Sequence, residues 1–107
     1  MIQQILLSIA VAITSNVYAD YLPEKRSICF DGDSLKKYAD YVAYQNVSGI
    51  GALMDAGRCI TVRKGQHMRI PENHNREMAG GEYPAITFST PKGGMTAWVL
   101  EVTVVSE

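Results

Sequence analysis

The chain has 107 residues, with ten lysines and arginines against eleven acidic side chains and a formal net charge of −1. That length suits one domain with a single modest core. The near balance of charge, with no basic excess and no acidic tail, argues against nucleic acid as the partner.

Ile5 to Ile13 reads ILLSIAVAI, an uncharged apolar run. Ser15 and Asn16 break it, and Val17-Tyr18-Ala19 places β-branched and small residues ahead of a cut after Ala19. This is the layout of a secretory signal peptide: a short apolar core, a polar break and a small-residue exit. The only positive charge ahead of the run is the α-amino group. An uncleaved anchor is the competing reading, but a membrane span needs about 20 predominantly apolar residues, roughly twice this run. Asp20 rather than a cysteine follows the cut, which argues against a lipid anchor. Residues 1–19 are expected to be removed. The remainder, 20–107, is one small domain with no membrane span, periplasmic in a Gram-negative host and otherwise secreted.

Cys29 and Cys59 are the whole cysteine inventory, and both survive that cut. An even count in a small exported chain predicts one disulfide with one possible pairing. It closes a loop of about 30 residues, for which loop-closure entropy gives roughly 3–4 kcal/mol. A redox pair or metal ligands are the alternatives. The spacing is far from Cys-x-x-Cys, and neither cysteine has a histidine at zinc-site spacing.

Tyr21 to Ser27 reads as an extended, charged lead-in, and the fold is expected to begin at Ile28-Cys29-Phe30. Asp31-Gly32-Asp33-Ser34 is dense in helix N-cap residues. Leu35, Tyr38, Ala39 and Val42 then recur at helical spacing, predicting a helix that ends near Gln45-Asn46. Ser48 is read as the cap of a shorter second helix, with Ile50, Leu53 and Met54 on its face and Gly57 at its end. Gly49 and Gly51 weaken that helix by about 1 kcal/mol each relative to alanine, unless close packing of its first turn needs them.

Beyond Gly57 the period changes. Arg58–Val62 and His67–Ile70 read as strands around an Arg63–Gln66 turn. Pro71–Pro84, poor in apolar residues and containing Gly80-Gly81, reads as a long loop or hairpin end. Ala85–Thr90 is a strand, Pro91–Gly94 a turn, and Met95–Val105 the longest β-stretch. In that stretch Thr96, Trp98, Leu100, Val102 and Val104 share one face, and Ala97, Val99, Glu101, Thr103 and Val105 the other. Apolar residues on both faces beyond Leu100 predict a central strand or a bend between two sheet halves. Helices first and strands after predict an α+β domain, with an N-terminal helical pair packed on a small antiparallel sheet. The disulfide is expected to clamp both ends of that pair onto the sheet.

The segments GRCITVRKGQHMRI and AITFSTPKGGMTAWVLEV, with Gly65, Gly93-Gly94 and Trp98-Val99, resemble the bacterial SH3-like small β-barrels of exported proteins. The resemblance covers the second half of the chain. It implies an SH3-like sheet or barrel and a binding role, toward cell-wall peptide or other proteins. It carries over no catalytic residue.

No catalytic constellation is legible. His67 alternates with Met68 and is placed on a solvent face. His74 lies in the polar run Glu72–Glu77, where Glu72, His74 and Glu77 converge on a metal only if the loop folds back. The serines lack a Gly-x-Ser-x-Gly context. Asp31 and Asp33 read as caps and turn formers rather than as catalytic carboxylates paired with Asp40. Gly49-Ile50-Gly51 lacks the strand before it and the Lys-Ser/Thr after it that a phosphate loop needs. No metal and no cofactor are expected, and the chain reads as a non-enzyme.

The binding candidates are Tyr41, Tyr44, Trp98 and His74. Tyr41 and Tyr44 fall off the helix face centred on Leu35, and exposed tyrosines are enriched at interfaces. Burial of that helix on more than one side hides Tyr41, and the alternation of Trp98 with Leu100 and Val102 favours the core. The expected function is an exported binding module for an envelope protein or a cell-wall component. The alternative is an inhibitor or immunity-type protein that blocks an exported enzyme, with Pro71–Pro84 as the inserting loop.

Overall fold

The computed structural model describes residues 20–90 and 94–106. The expected leader, residues 1–19, and most of the Pro91–Gly94 turn lie outside the described residues. The elements in chain order are β1 (Asp20–Leu22), β2 (Ser27–Cys29), α1 (Gly32–Ala43), α2 (Val47–Asp55) and β3 (Cys59–Thr61). β4 (Met68–Arg69), β5 (Asn75–Ala79), β6 (Tyr83–Ser89) and β7 (Thr96–Leu100) follow, then a 3-10 turn at Glu101–Thr103 and β8 (Val105–Ser106). The strands form a five-stranded sheet of order β3-β2-β7-β6-β5 and a three-stranded sheet of order β4-β1-β8. All pairings are antiparallel. The domain is α+β, and its sheets do not close into a barrel.

Side-chain alternation along the large sheet sets three layers. Ile28, Ile86, Phe88, Ala97 and Val99 point to one face and meet Leu22 of β1 together with Val62 and Ile70. Cys29, Cys59 and Ala85 point to the other face and meet Leu35 of α1 and Leu53 of α2. The large sheet is thus covered on one side by the helical pair and on the other by the small sheet.

The helix ends follow from local chemistry. The Asp31 carboxylate accepts the Ser34 N–H at 2.7 Å and the Ser34 hydroxyl at 3.0 Å, capping α1. The chain reverses after α1 through Gln45, which adopts φ +54°. That turn delivers Asn46, not Ser48, to the start of α2, where its side-chain oxygen accepts the Gly49 N–H at 2.9 Å. The two α2 glycines differ. A Cβ on Gly49 would stand 2.8 Å from the Tyr41 ring, whereas one on Gly51 would meet nothing within 4 Å. Only Gly49 is required by close packing.

One further reading changes, and two settle on one of their alternatives. The lead-in is not a leader: β1 is the middle strand of the small sheet, pairing with β4 and β8. A short polar segment flanked by partners distant in sequence carries no local signal of this. The long stretch Met95–Val105 bends between the two sheets: β7 ends at Leu100, and the 3-10 turn hands the chain to β8. Pro71–Pro84 is a hairpin end rather than a long loop, because β5 and the tight turn into β6 occupy most of it.

The disulfide forms as expected between Cys29 and Cys59, at the end of β2 and the start of β3, where the helical pair leaves and rejoins the large sheet. The two residues face each other in the β2·β3 register, with Cα atoms 4.0 Å apart. Phe30 N–H bonds Arg58 C=O at 3.1 Å and Val62 N–H bonds Arg26 C=O at 2.8 Å. By alternation the Cys29–Cys59 pair is a close, non-hydrogen-bonded one, the site where facing side chains approach most nearly. Reducing this buried bridge is predicted to lower the thermal unfolding midpoint by more than about 10 °C, given roughly 3–4 kcal/mol of loop-closure entropy. Circular dichroism with and without reductant checks it.

Candidate functional site

β5 is the outer strand of the large sheet, and its ladder shows which backbone groups are left over. Thr90 N–H donates to Met95 C=O at 2.8 Å, which makes Thr90–Met95 a hydrogen-bonded pair of the β6·β7 ladder. Alternation then turns Phe88 and Ile86 toward β7, and Thr87, Ala85 and Tyr83 toward β5. Their register partners Asn75, Glu77 and Ala79 bond inward. Arg76 and Met78 therefore direct their backbone groups away from the sheet. The Met78 carbonyl is taken up by Gly81 N–H at 3.1 Å. Among the described residues the free edge offers the Arg76 N–H and C=O and the Met78 N–H. Proline at position 84 fits this pattern, since β7 has already ended where its missing N–H would point.

Two depressions adjoin this edge. One of about 460 Å³ is lined by Arg76, Glu77, Met78, Pro84, Ala85 and Glu101. The other, about 260 Å³, opens at the seam between β5 and β8, where His74 and Arg76 meet Asp20, Glu101 and Ser106. The Arg76 guanidinium and the Glu101 carboxylate pair at 3.3 Å and border both. The Met78 side chain, 52% exposed, supplies an apolar contact on the edge itself. His74 donates its Nδ1–H to the Pro71 carbonyl, and Ser106 Oγ–H donates to Asp20 Oδ1 at 2.6 Å.

The β5–β6 hairpin is held rigidly. Gly80 and Gly81 both adopt positive φ, +59° and +72°, as a tight hairpin turn requires. Glu82 N–H closes it on Ala79 C=O at 3.1 Å. The Lys36 side chain of α1 lies over Gly80 so closely that a Cβ there would collide with it. Lys36 Nζ donates to Asp40 Oδ2 at 2.8 Å and stands 3.6 Å from Glu82, while Tyr83 O–H donates to Asp40 Oδ1 at 2.5 Å. Asp40 is held below the usual carboxylate range by Lys36 and then by Tyr83. Lys36 is raised chiefly by its bond to Asp40. The bond to that carboxylate pushes the Tyr83 phenol up to about 12. These groups satisfy one another and tie helix to hairpin. A phenol raised this far is no base at neutral pH.

Of the four expected binding residues, the fold brings only His74 to this groove. Tyr41 is half-buried, its ring packed on Gly49 between the helices. Trp98 is half-buried on the helix side of the sheet, its ring against Gly32. Tyr44 caps the C-terminus of α1 and is 83% exposed, away from either depression. His67 is exposed and meets the Tyr21 ring edge-on at 5.0 Å. Asp31 serves as a cap, and Asp33 pairs with Lys37 at 3.3 Å and Arg58 at 3.4 Å. Among the described residues no group of three or more His, Cys, Asp or Glu side chains is placed to hold a metal ion. Arg76, Met78 and Glu101 were missed by sequence reasoning. The signal that could have found them is the Gly80-Gly81 pair, which implies a strand on either side.

No family model matches the chain, and no curated protein and no solved structure matches it. Among the described residues no helix is long and apolar enough to cross a membrane.

The Tyr83–Asp40 clamp makes a two-sided pH prediction. Asp40's lowered pKa means its contribution is complete above the ordinary carboxylate range and is lost as pH falls through the folded value. Tyr83's raised pKa means its contribution is complete below the ordinary phenol value of about 10 and is lost as pH rises through the folded value. Ultraviolet titration should find one tyrosine ionising near 12, and Asp40→Asn should return it toward about 10.

Proposed function

We propose that this chain is a small exported binding module that takes an extended segment of an envelope protein along β5. The free backbone edge at Arg76 and Met78, bordered by the two depressions, carries the reading. Strand addition to an exposed edge draws affinity from main-chain hydrogen bonds and specificity from pockets for alternate side chains. Here the Arg76–Glu101 pair and the Met78 side chain offer such contacts.

Self-pairing is the usual hazard of an edge like this. Two copies joined antiparallel with their sheet faces aligned can centre on Arg76, Glu77 or Met78. The first two registers set like charges directly opposite one another, which is destabilising, and the third needs the Met78 carbonyl that Gly81 already takes. The edge is better suited to a different chain. A disulfide supports an oxidising compartment, and the leader-like residues 1–19 support export, to the periplasm in a Gram-negative host. In the groove the Ser106 hydroxyl donates to Asp20 and His74 Nδ1–H to the Pro71 carbonyl, and we assign it no reaction. A partner that is itself an exported enzyme would make this module an inhibitor or immunity-type protein, acting through the β5 hairpin rather than through a long loop. A cell-wall peptide would use the same edge in the same way.

Arg76→Pro tests the reading. It removes an outward N–H that makes no ladder bond, a place where edge strands tolerate proline. Affinity for a partner captured from envelope extract is expected to fall at least about tenfold with Arg76→Pro and no more than about threefold with Arg76→Ala, at unchanged unfolding midpoint. Equal affinity in both variants contradicts strand addition at β5.

A further inference from the structure

The sequence scatters its lysines and arginines in short pairs, and the fold sorts those among the described residues into two classes. Lys36, Lys37, Arg58 and Arg76 each pair with a carboxylate. Lys25, Arg26, Arg63, Lys64 and Arg69 are all exposed, and none makes an ion pair among the described residues. These unpaired cations are gathered at one end of the domain. The turn after β1 is bonded to the turn after β3: Lys25 N–H donates to Val62 C=O at 3.0 Å and Val62 N–H to Arg26 C=O at 2.8 Å. Gly65 N–H donates to the Glu24 carboxylate, which occupies the one acidic side chain of the two turns. Arg69 sits opposite Tyr21 in the adjoining β1·β4 ladder.

A depression of about 260 Å³ opens beside these turns, lined by apolar Ile28, Ile60, Val62 and Met68 and by polar Arg63 and Gln66. It marks the seam between edge strands β3 and β4. Ile60 is the register partner of buried Ile28, yet it is 46% exposed, because the small sheet does not reach it.

We propose that this end of the domain docks on an anionic membrane surface and takes a phosphate-bearing lipid as its ligand. A patch of unpaired cations attracts any polyanion. An apolar opening lined by Arg63, on the turn that also carries Lys64 and is bonded to the Lys25-Arg26 turn, suits an amphiphile, with the headgroup among the cations and the first part of an acyl chain against Ile60. A soluble polyanion has nothing to place in that opening. This site lies on β3 and β4, on different strands from the β5 groove, and does not depend on the function proposed for that groove.

The test is co-sedimentation of the exported domain with vesicles of phosphatidylglycerol mixed with phosphatidylcholine, against phosphatidylcholine alone. Binding is expected only to the anionic vesicles, and it should weaken with added salt. Each cation removed should weaken it by about fivefold, so Arg63→Gln/Lys64→Gln should cost on the order of 25-fold. Lys37→Gln, which removes a cation outside the patch, should leave it unchanged. Ile60→Ser should weaken vesicle binding while leaving heparin binding alone. All the substituted side chains are exposed, and an unchanged unfolding midpoint confirms that the fold is intact. Equal binding to neutral vesicles, or insensitivity to the Arg63/Lys64 change, overturns the proposal. Binding to heparin or duplex DNA with no effect of Ile60→Ser on vesicles also overturns it, leaving a general polyanion site.

Discussion

Cys29 and Cys59 face each other across adjacent strands, and the bond between them fixes the β2·β3 register. A slip of one residue would send every side chain of a strand to the opposite face. The bridge forbids that slip, so it decides which residues of β2 and β3 look toward the helices. The consequence extends across the sheet. Cys59, Cys29, Trp98, Thr87 and Asn75 are successive register partners from one edge to the other. The excursion through α1 and α2 leaves from β2 and returns to β3, so the helices cover the face on which the disulfide lies. The alternate residues Ile28, Val99 and Ile86 then need cover on the opposite face, and the β4-β1-β8 sheet supplies it.

A sheet covered on both faces interacts mainly through its edges. The two seams of this sandwich differ in chemistry. At the β5 seam, charges of both signs pair off and unpaired main-chain groups remain. At the β3–β4 seam, the main feature is an apolar opening beside cations that make no ion pair among the described residues. The proposed roles follow from that difference: directional strand pairing at one seam, and long-range attraction to negative charge at the other. A domain held at an anionic surface by one seam keeps the β5 edge available to a second protein.

Much of the first half was legible because its signals are local. Asp31 announces α1, Leu35 and Ala39 mark its buried face, and the only two cysteines can pair in one way. Val42 belonged to the same helical pattern but is 47% exposed. What escaped depends on partners far away in sequence. β1 has three residues, and its strand character comes from β4 and β8. Asn75-Arg76-Glu77-Met78 lacks apolar alternation because an edge strand at a seam is wetted on both faces. The lysine and arginine pairs carry no local signal of a patch, since nothing local shows that the turns holding Lys25 and Arg63 are bonded together. The candidate site rests on these nonlocal features, so less of it was visible than of the fold. The strands divide into two sheets at the 3-10 turn after Leu100.

The central claim is that β5 is a paired strand with one side left open. Residue-resolved hydrogen exchange of the free domain tests it most directly. The account predicts alternation: the Glu77 and Ala79 amides, bonded into the β6 ladder, exchange slowly, while those of Arg76 and Met78 exchange fast. Uniformly fast exchange from residue 75 to 79 would mean a loop, and uniformly slow exchange an edge already covered. Either result contradicts the account.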